Sequence, residues 1–244
     1  CHSCFSFREG ASTPLELVLR ARELGYPALA LTDHDRLAGV MEFAQAAEAW
    51  GVRPLFGAEV TLEGGAHLTV LAETPRGYAN LSRLLTLSHL GGGRDHPALD
   101  PARLETHREG LIVLTGCRQG VVSQLITAGD AGGATAALDR LVAIFGREQV
   151  WVELQNNLVY GDERRIESLA ALARRFGLGC VATNDVHYHV RERHRLQDVL
   201  VAIRHRTTLD GSQRQRRPNS EFHLKAPREM RRLFDGLEDA VDNT

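Results

Sequence analysis

The chain has 244 residues, 43% of them hydrophobic, 25% charged and only 6% aromatic, which supplies a large core and excludes disorder as its main state. Its 29 basic and 31 acidic residues nearly cancel, which excludes a protein that grips nucleic acid through its overall positive field. No run approaches the roughly 18 to 20 apolar residues that cross a bilayer, and four cysteines, Cys1, Cys4, Cys117 and Cys180, form neither a disulfide framework nor a paired zinc module; no membrane partner and a reducing, cytoplasmic location are expected.

In chain order, Thr13-Pro14-Leu15-Glu16 opens a helix: Thr13 can cap the free amides, Pro14 suits the first helical position and Glu16 closes a capping box. Gly25 stops it, and residues 28–32 are an apolar run of buried-strand length. The order then repeats. Helical stretches ending at Trp50-Gly51, Phe145-Gly146 and Phe176-Gly177 precede strands near residues 54–62, 150–154 and 179–183, the rhythm of an α/β fold with a mainly parallel sheet. Gly64-Gly65 predicts a hairpin joining residues 60–62 to 67–71, residues 91–97 a loop, 111–115 another strand and 196–203 another helix. Residues 204–219 are arginine-rich and read as a structureless connector. This divides the chain into a main domain, 1–205, and a second part, 206–244, made of the connector and the start of a following segment. Charge follows the division: up to His187 there are 17 basic and 22 acidic residues, whereas Tyr188 to Asp235 holds 12 basic and 6 acidic. A strand at 221–224, a helix at 227–234 and a start inside Cys1-His2-Ser3-Cys4 predict a larger parent polypeptide.

Reactive groups of a parallel α/β sheet collect at the carboxyl ends of strands, where loops converge on one mouth. Residues 28–32 run into Asp33-His34-Asp35, 111–115 into Gly116-Cys117 and 179–183 into Asn184-Asp185-Val186-His187. His2 and Glu9 precede the first helix; Glu59 and His67 flank the hairpin. Imidazoles, carboxylates and a thiolate are the usual ligands of zinc and manganese. Ions about 3.5 to 4 Å apart clamp a phosphoryl group, activate a water and stabilise the leaving oxygen, so phosphoester hydrolysis is the predicted reaction. Taken singly, each such residue is more often a helix cap or a surface group; their common location carries the case. Cys180, inside a strand, reads as a small buried hydrophobe, and His89, His96, His107, His189, His194, His205 and His223 as surface residues. Arg204, Arg206, Arg214, Arg216 and Arg217 are candidate phosphate contacts, with a solvated connector as the alternative.

Cys1-His2-Ser3-Cys4-Phe5-Ser6-Phe7-Arg8-Glu9-Gly10-Ala11-Ser12, Ala30-Leu31-Thr32-Asp33-His34-Asp35, Phe56-Gly57-Ala58-Glu59, His67-Leu68-Thr69-Val70-Leu71-Ala72, Leu114-Thr115-Gly116-Cys117 and Ala182-Thr183-Asn184-Asp185-Val186-His187-Tyr188 resemble the PHP (polymerase and histidinol phosphatase) domain. Their order and spacing are similar to the amino-terminal PHP domain of bacterial C-family polymerases, the DNA polymerase III alpha subunits. Phe5-Ser6-Phe7, Gly10-Ala11-Ser12 and Arg217-Pro218-Asn219-Ser220 resemble the error-prone, translesion branch of that group. The resemblance covers nearly the whole chain. It implies a distorted seven-stranded β/α barrel whose mouth, at the carboxyl ends of the strands, binds up to three zinc or manganese ions through nine positions. Eight of them are matched, by His2, Glu9, His34, Glu59, His67, Cys117, Asp185 and His187. The ninth, the first histidine of an opening pair, falls before Cys1, and Glu9 stands where replicative members usually carry Asp.

The activity so implied is a metal-dependent 3′-5′ exonuclease acting on a DNA 3′ terminus. The parent would be a DNA polymerase whose other domains, including the palm that holds magnesium, lie outside this chain. A sliding clamp or translesion accessory proteins are the further partners it implies. Two alternatives differ in class: a catalytically inactive metal-binding module that braces the polymerase, and a free-standing phosphatase of small esters such as histidinol phosphate. The polymerase-like continuation past residue 220 counts against the second.

Overall fold

The computed structural model describes residues 1–92 and 96–244. Helix α1 (Pro14–Glu23) starts as the capping box requires: Glu16 N donates to Thr13 Oγ1 at 3.2 Å, and Thr13 N donates to the Glu16 carboxylate at 2.9 Å, so two otherwise free amides are satisfied. Leu17, Val18 and Ala21 bury against Phe43, Ala46 and Ala47 of α2 (Val40–Trp50) and against Leu29 and Leu31 of β1 (Ala28–Leu31). This small core fixes the strand that leads into Asp33-His34-Asp35.

With β1, strands β2 (Arg53–Thr61), β3 (His67–Ala72), β4 (Leu111–Leu114), β5 (Val150–Gln155) and β6 (Cys180–Thr183) form one sheet in chain order. The β1–β2, β4–β5 and β5–β6 pairs are parallel, and β3 is antiparallel to both neighbours. That reversal, made by the predicted hairpin, brings the amino end of β3, with His67, to the end where the other strands finish. Helices α3 (Pro75–Gly92), α4 (Arg103–Thr106), α5 (Val121–Thr127), α6 (Ala131–Phe145) and α7 (Asp162–Phe176) contribute to the outer cover. Leu81, Leu84, Leu138 and Leu169 pack there with Val70, Val113 and Val152 in the main core; each fully buried leucine contributes roughly 1.5 to 3 kcal/mol.

The sheet curls. Leu29, Leu55, Leu71, Leu114, Glu153 and Ala182, one from each strand, line a single cavity of about 440 Å³. The family resemblance implies seven strands; the described residues form six, a curled half-barrel rather than a closed barrel. At the mouth its two edges are joined through the first residues: Cys1 N lies 2.9 Å from Ala30 O, Thr32 N donates to Cys1 O at 2.8 Å and His2 N to Val186 O at 2.7 Å. A backbone held on one side by β1 and on the other by the segment after β6 places His2 at the centre of the mouth.

Helices α8 (His194–Arg204), α9 (Pro227–Leu233) and α10 (Glu238–Asp242) complete the chain. Met230, Phe234 and Ala240 enter the main core, so residues after 205 pack on the same interior as those before. The strand expected at 221–224 is an isolated parallel bridge between Tyr188 and His223, which buries His223 instead of leaving it on the surface. Helix α3 continues to Gly92, where a loop was expected from residue 91; of that loop, residues 93–95 lie outside the described residues. The arginine-rich stretch is not a free connector either. Ser212 is fully buried, and the segment folds back over the mouth.

Candidate metal centre

Two aspartates set the geometry around His34. The Asp33 carboxylate accepts from Ser3 N (2.6 Å), Ser3 Oγ (2.8 Å) and Ser6 Oγ (2.6 Å), tying the loop that carries His2 and Glu9 to the end of β1. Asp35 accepts from Thr61 N (2.7 Å) and Thr61 Oγ1 (2.8 Å), tying the same turn to β2. Between them His34 N donates to Ser6 Oγ at 3.1 Å. Gly10 closes the loop because a Cβ there would lie 1.8 Å from Ser3 O, a backbone approach only glycine allows. Five short polar side chains, of Ser3, Ser6, Asp33, Asp35 and Thr61, and one glycine thus fix the loop of His2 and Glu9 against His34.

All eight donors expected from the sequence meet at this mouth. Glu59 is central: its Oε1 lies 2.5 Å from His67 Nδ1 and 3.2 Å from His34 Nδ1, and its Oε2 lies 4.0 Å from His2 Nε2. Asp185 Oδ1 is 3.4 Å from His2 Nε2 and 3.5 Å from His187 Nδ1. Glu9 Oε2 is 3.2 Å from His34 Nε2 and 3.9 Å from His187 Nε2, so its longer side chain still reaches the cluster. Cys117 Sγ sits 3.4 Å from His67 Nδ1 and 3.6 Å from Glu59 Oε1. The imidazoles of His2 and His34 stack with centroids 4.4 Å apart. Three overlapping groups, His2/His34/His187, His34/Glu59/His67 and His2/Glu59/Asp185, each bring one donor atom per residue to within 4.8 Å of the others.

This donor set fits a divalent cation. His2 Nδ1 is buried with no hydrogen-bond partner among the described residues, an expensive state for a polar atom that a ligand would relieve. Burial, then the neighbouring His187 and His34, push the His2 pKa well below its ordinary value; burial, then Arg217, push that of His187 down to about 3. Burial opposes ionisation of Glu59, yet His34, His67 and His2 override it and hold the carboxyl at about 2; burial likewise opposes ionisation of Asp185, and Arg217, His187 and His2 override it and hold that carboxyl well below its ordinary value. Near neutral pH His2 and His187 are therefore neutral imidazoles beside the ionised carboxylates of Glu59 and Asp185, the protonation state a cation requires. Burial and the Glu59 charge raise the Cys117 thiol well above its usual value, so Cys117 becomes a thiolate donor only with a cation beside it.

Three of the five candidate phosphate-binding arginines line the mouth: Arg204, Arg216 and Arg217. Arg217 donates to Asp185 Oδ2 at 3.0 Å, touches His187 Nε2 and stacks on the Phe222 ring at 4.4 Å. Arg204 pairs with Glu9, and Arg216 with Asp198 at 3.0 Å. Arg206 and Arg214 stand exposed outside the mouth. Sequence reasoning missed Arg118 and Gln197, which also line it, and Glu153, buried behind it. Arg118 directly follows Cys117, and Glu153 is a carboxylate inside an apolar strand; those were the available signals.

Residues 1–157 match the family described as PHP domain. Over 98% of its length the chain is 43% identical to an error-prone DNA polymerase of Mycobacterium bovis, and over its whole length 38% identical to a DNA polymerase III subunit alpha of Thermus aquaticus. It spans 23% and 22% of those two proteins, about a quarter of their length. A solved structure described as a metal-dependent phosphoesterase, from Bifidobacterium adolescentis, matches 77% of this chain and 86% of its own with a TM-score of 0.55 at 17% identity; at that identity the likeness speaks for the fold alone. Among the described residues no helix is long and apolar enough to cross a membrane. The match over 157 residues, which include six of the eight converging donors, establishes that the chain belongs to the PHP domain family.

Proposed function

We propose that the chain is the PHP module of an error-prone DNA polymerase and acts as a metal-dependent phosphodiesterase that removes nucleotides from a DNA 3′ end. One observation carries this reading: eight donors from distant points of the sequence converge beneath arginines that line the same mouth. His2, Glu9, His34, Glu59, His67, Cys117, Asp185 and His187 would hold up to three zinc or manganese ions, with Glu59 shared between two of the groups. Bound there, such ions supply Lewis acidity at phosphorus and activate water. The remaining work falls to the chain. Arg217 and Arg204 hold guanidinium groups where non-bridging phosphate oxygens enter, and exchanging a carboxylate partner for a phosphate leaves each one paired. Gln197 is buried at the mouth with Oε1 unpartnered among the described residues, an acceptor available to a sugar hydroxyl.

On this reading residues 1–205 are the PHP domain and 206–244 are the connector and the start of the next polymerase segment. The palm with its magnesium, and a sliding clamp or translesion accessory proteins, belong to a cytoplasmic parent chain. The test is release of label from 3′-labelled single-stranded DNA. Release that stops with a chelator and with Asp185→Asn supports the proposal, and release that survives both refutes it. Phosphate release from histidinol phosphate with DNA untouched would point to a phosphatase of small esters. One observation favours a second reading, a bracing module: Arg217 and Arg204 already neutralise Asp185 and Glu9. A metal-loaded sample that cleaves nothing would support it.

A further inference from the structure

Beside the metal mouth lies a larger groove of about 1090 Å³, bounded by the end of α5, one face of α7 and the turn at residues 156–161. Arg118 lines both spaces. Tyr160 stands on the groove with its side chain fully exposed, an unusual place for one of the few aromatic residues. The turn that presents it is rigid. The Asp162 carboxylate accepts from Asn157 N and Val159 N, both at 3.0 Å, and Asn219 Nδ2 donates to Asn157 O at 2.8 Å and to Leu158 O at 3.3 Å. Arg118 is held from the same turn, donating to Tyr160 O at 3.3 Å with Nη1 3.4 Å from Asp162 Oδ1. Arg164 and Arg175 line the groove and are exposed; Glu163 lines it as well, while Asp162 is already engaged by Arg165 at 2.6 Å.

We propose that this groove is the track for the single-stranded DNA trailing from the terminal nucleotide, an inference that rests on the nuclease reading above. Arg118, at the junction, binds the phosphate that follows the reacting one, and Tyr160 stacks on a base further along the strand. Stacking on an aromatic face tolerates any base, and arginines that follow the backbone add affinity independent of sequence. A turn whose backbone is already held by hydrogen bonds loses little backbone freedom when the strand binds, so less of the stacking energy is spent on ordering it. The chemistry suits a strand that must be trimmed whatever its sequence.

The test measures binding of a labelled decamer and of a dinucleotide to the intact chain by fluorescence anisotropy in chelator, with cleavage followed separately in manganese. Tyr160→Ala is expected to weaken decamer binding about tenfold and to leave dinucleotide binding unchanged, whereas Tyr160→Phe keeps both. Arg118→Ala is expected to weaken decamer binding and to reduce its salt slope by about 0.7. Unchanged decamer affinity in Tyr160→Ala overturns the proposal, as does an equal loss on both ligands, which would indicate a disturbed mouth. A wild-type chain that binds no decamer also overturns it and leaves the groove as a surface for protein. Tyr160-dependent decamer binding without cleavage in manganese retires the nuclease reading while the DNA track stands.

Discussion

Glu153 offers the sharpest test of the electrostatics behind the mouth. It projects from β5 into the cavity of the curled sheet, is 5% exposed, and accepts from Thr183 Oγ1 at 2.5 Å, Gln155 Nε2 at 3.1 Å and Thr69 Oγ1 at 3.2 Å. Burial, helped by the charges of Glu59 and Asp185 and opposed by the bonds from Thr183 and Gln155, raises its pKa from 4.5 to about 7. A carboxyl whose folded pKa is raised binds its proton more tightly in the native state. Its contribution is therefore fully present below pH 4.5 and is lost as pH rises through about 7. At about 1.4 kcal/mol for each pH unit, the whole interval is worth about 3 kcal/mol, a large part of the roughly 5 to 15 kcal/mol that holds a domain folded. Glu153→Gln keeps the neutral shape and removes the titration. Urea unfolding of both proteins across this interval, with chelator present so that no cation adds its own charge, is expected to show the variant gaining about 3 kcal/mol on the wild type between the acidic and the alkaline end. Parallel stability curves for the two proteins would refute the assignment of a buried, protonated Glu153.

Asp33→Asn replaces a carboxylate that accepts three hydrogen bonds with a group that turns donors towards donors. A loss of about 2 to 4 kcal/mol is expected in urea unfolding, together with lower zinc or manganese content by elemental analysis, because the loop carrying His2 and Glu9 is released. Leu81→Ala, on the buried face of α3 and outside that network, is expected to lose about 3 kcal/mol while metal content stays unchanged. Gly10→Ala puts a Cβ against Ser3 O; a loss of at least about 2 kcal/mol and reduced metal content are expected by the same two measurements.

Much of the mouth was legible in the sequence because its chemistry sits where apolar runs end. His34, Cys117, Asp185 and His187 each follow a short buried strand, so an apolar run stopping at a ligand-type residue was a local signal. His67 was legible through the Gly64-Gly65 hairpin, although the reason it reaches the mouth, the reversed direction of β3, belongs to topology. The arginines show the limit. Arg204 to Arg217 read as a connector because no periodicity marks how they dock; what docks them is Phe222 under one guanidinium and the carboxylates of Glu9, Asp185 and Asp198. His223 was misread for the same reason, since its burial depends on a single bridge to Tyr188. Tyr160 left no trace at all: its exposure is set by side chains at 162 and 219 that bond the backbone of its turn.

The arginines over the acidic donors also connect two binding events. Arg217 holds Asp185 and touches His187, and Arg204 holds Glu9. While these pairs persist, a cation on Asp185 Oδ1 and Glu9 Oε2 must share each carboxylate with a guanidinium on its other oxygen, and contends with Arg217 for His187 Nε2. A phosphate that draws Arg217 and Arg204 away leaves both carboxylates wholly to the cation, and a cation that draws their charge frees the guanidinium groups for phosphate. Each ligand then favours the other, and linkage makes the factor identical in both directions. Titration calorimetry should find that a nucleoside monophosphate tightens manganese binding by about five- to a hundredfold, that manganese tightens nucleotide binding by the same factor, and that Arg217→Met binds manganese more tightly alone but loses most of the coupling. Independent binding of the two ligands in the wild-type chain would show that these ion pairs do not gate the site.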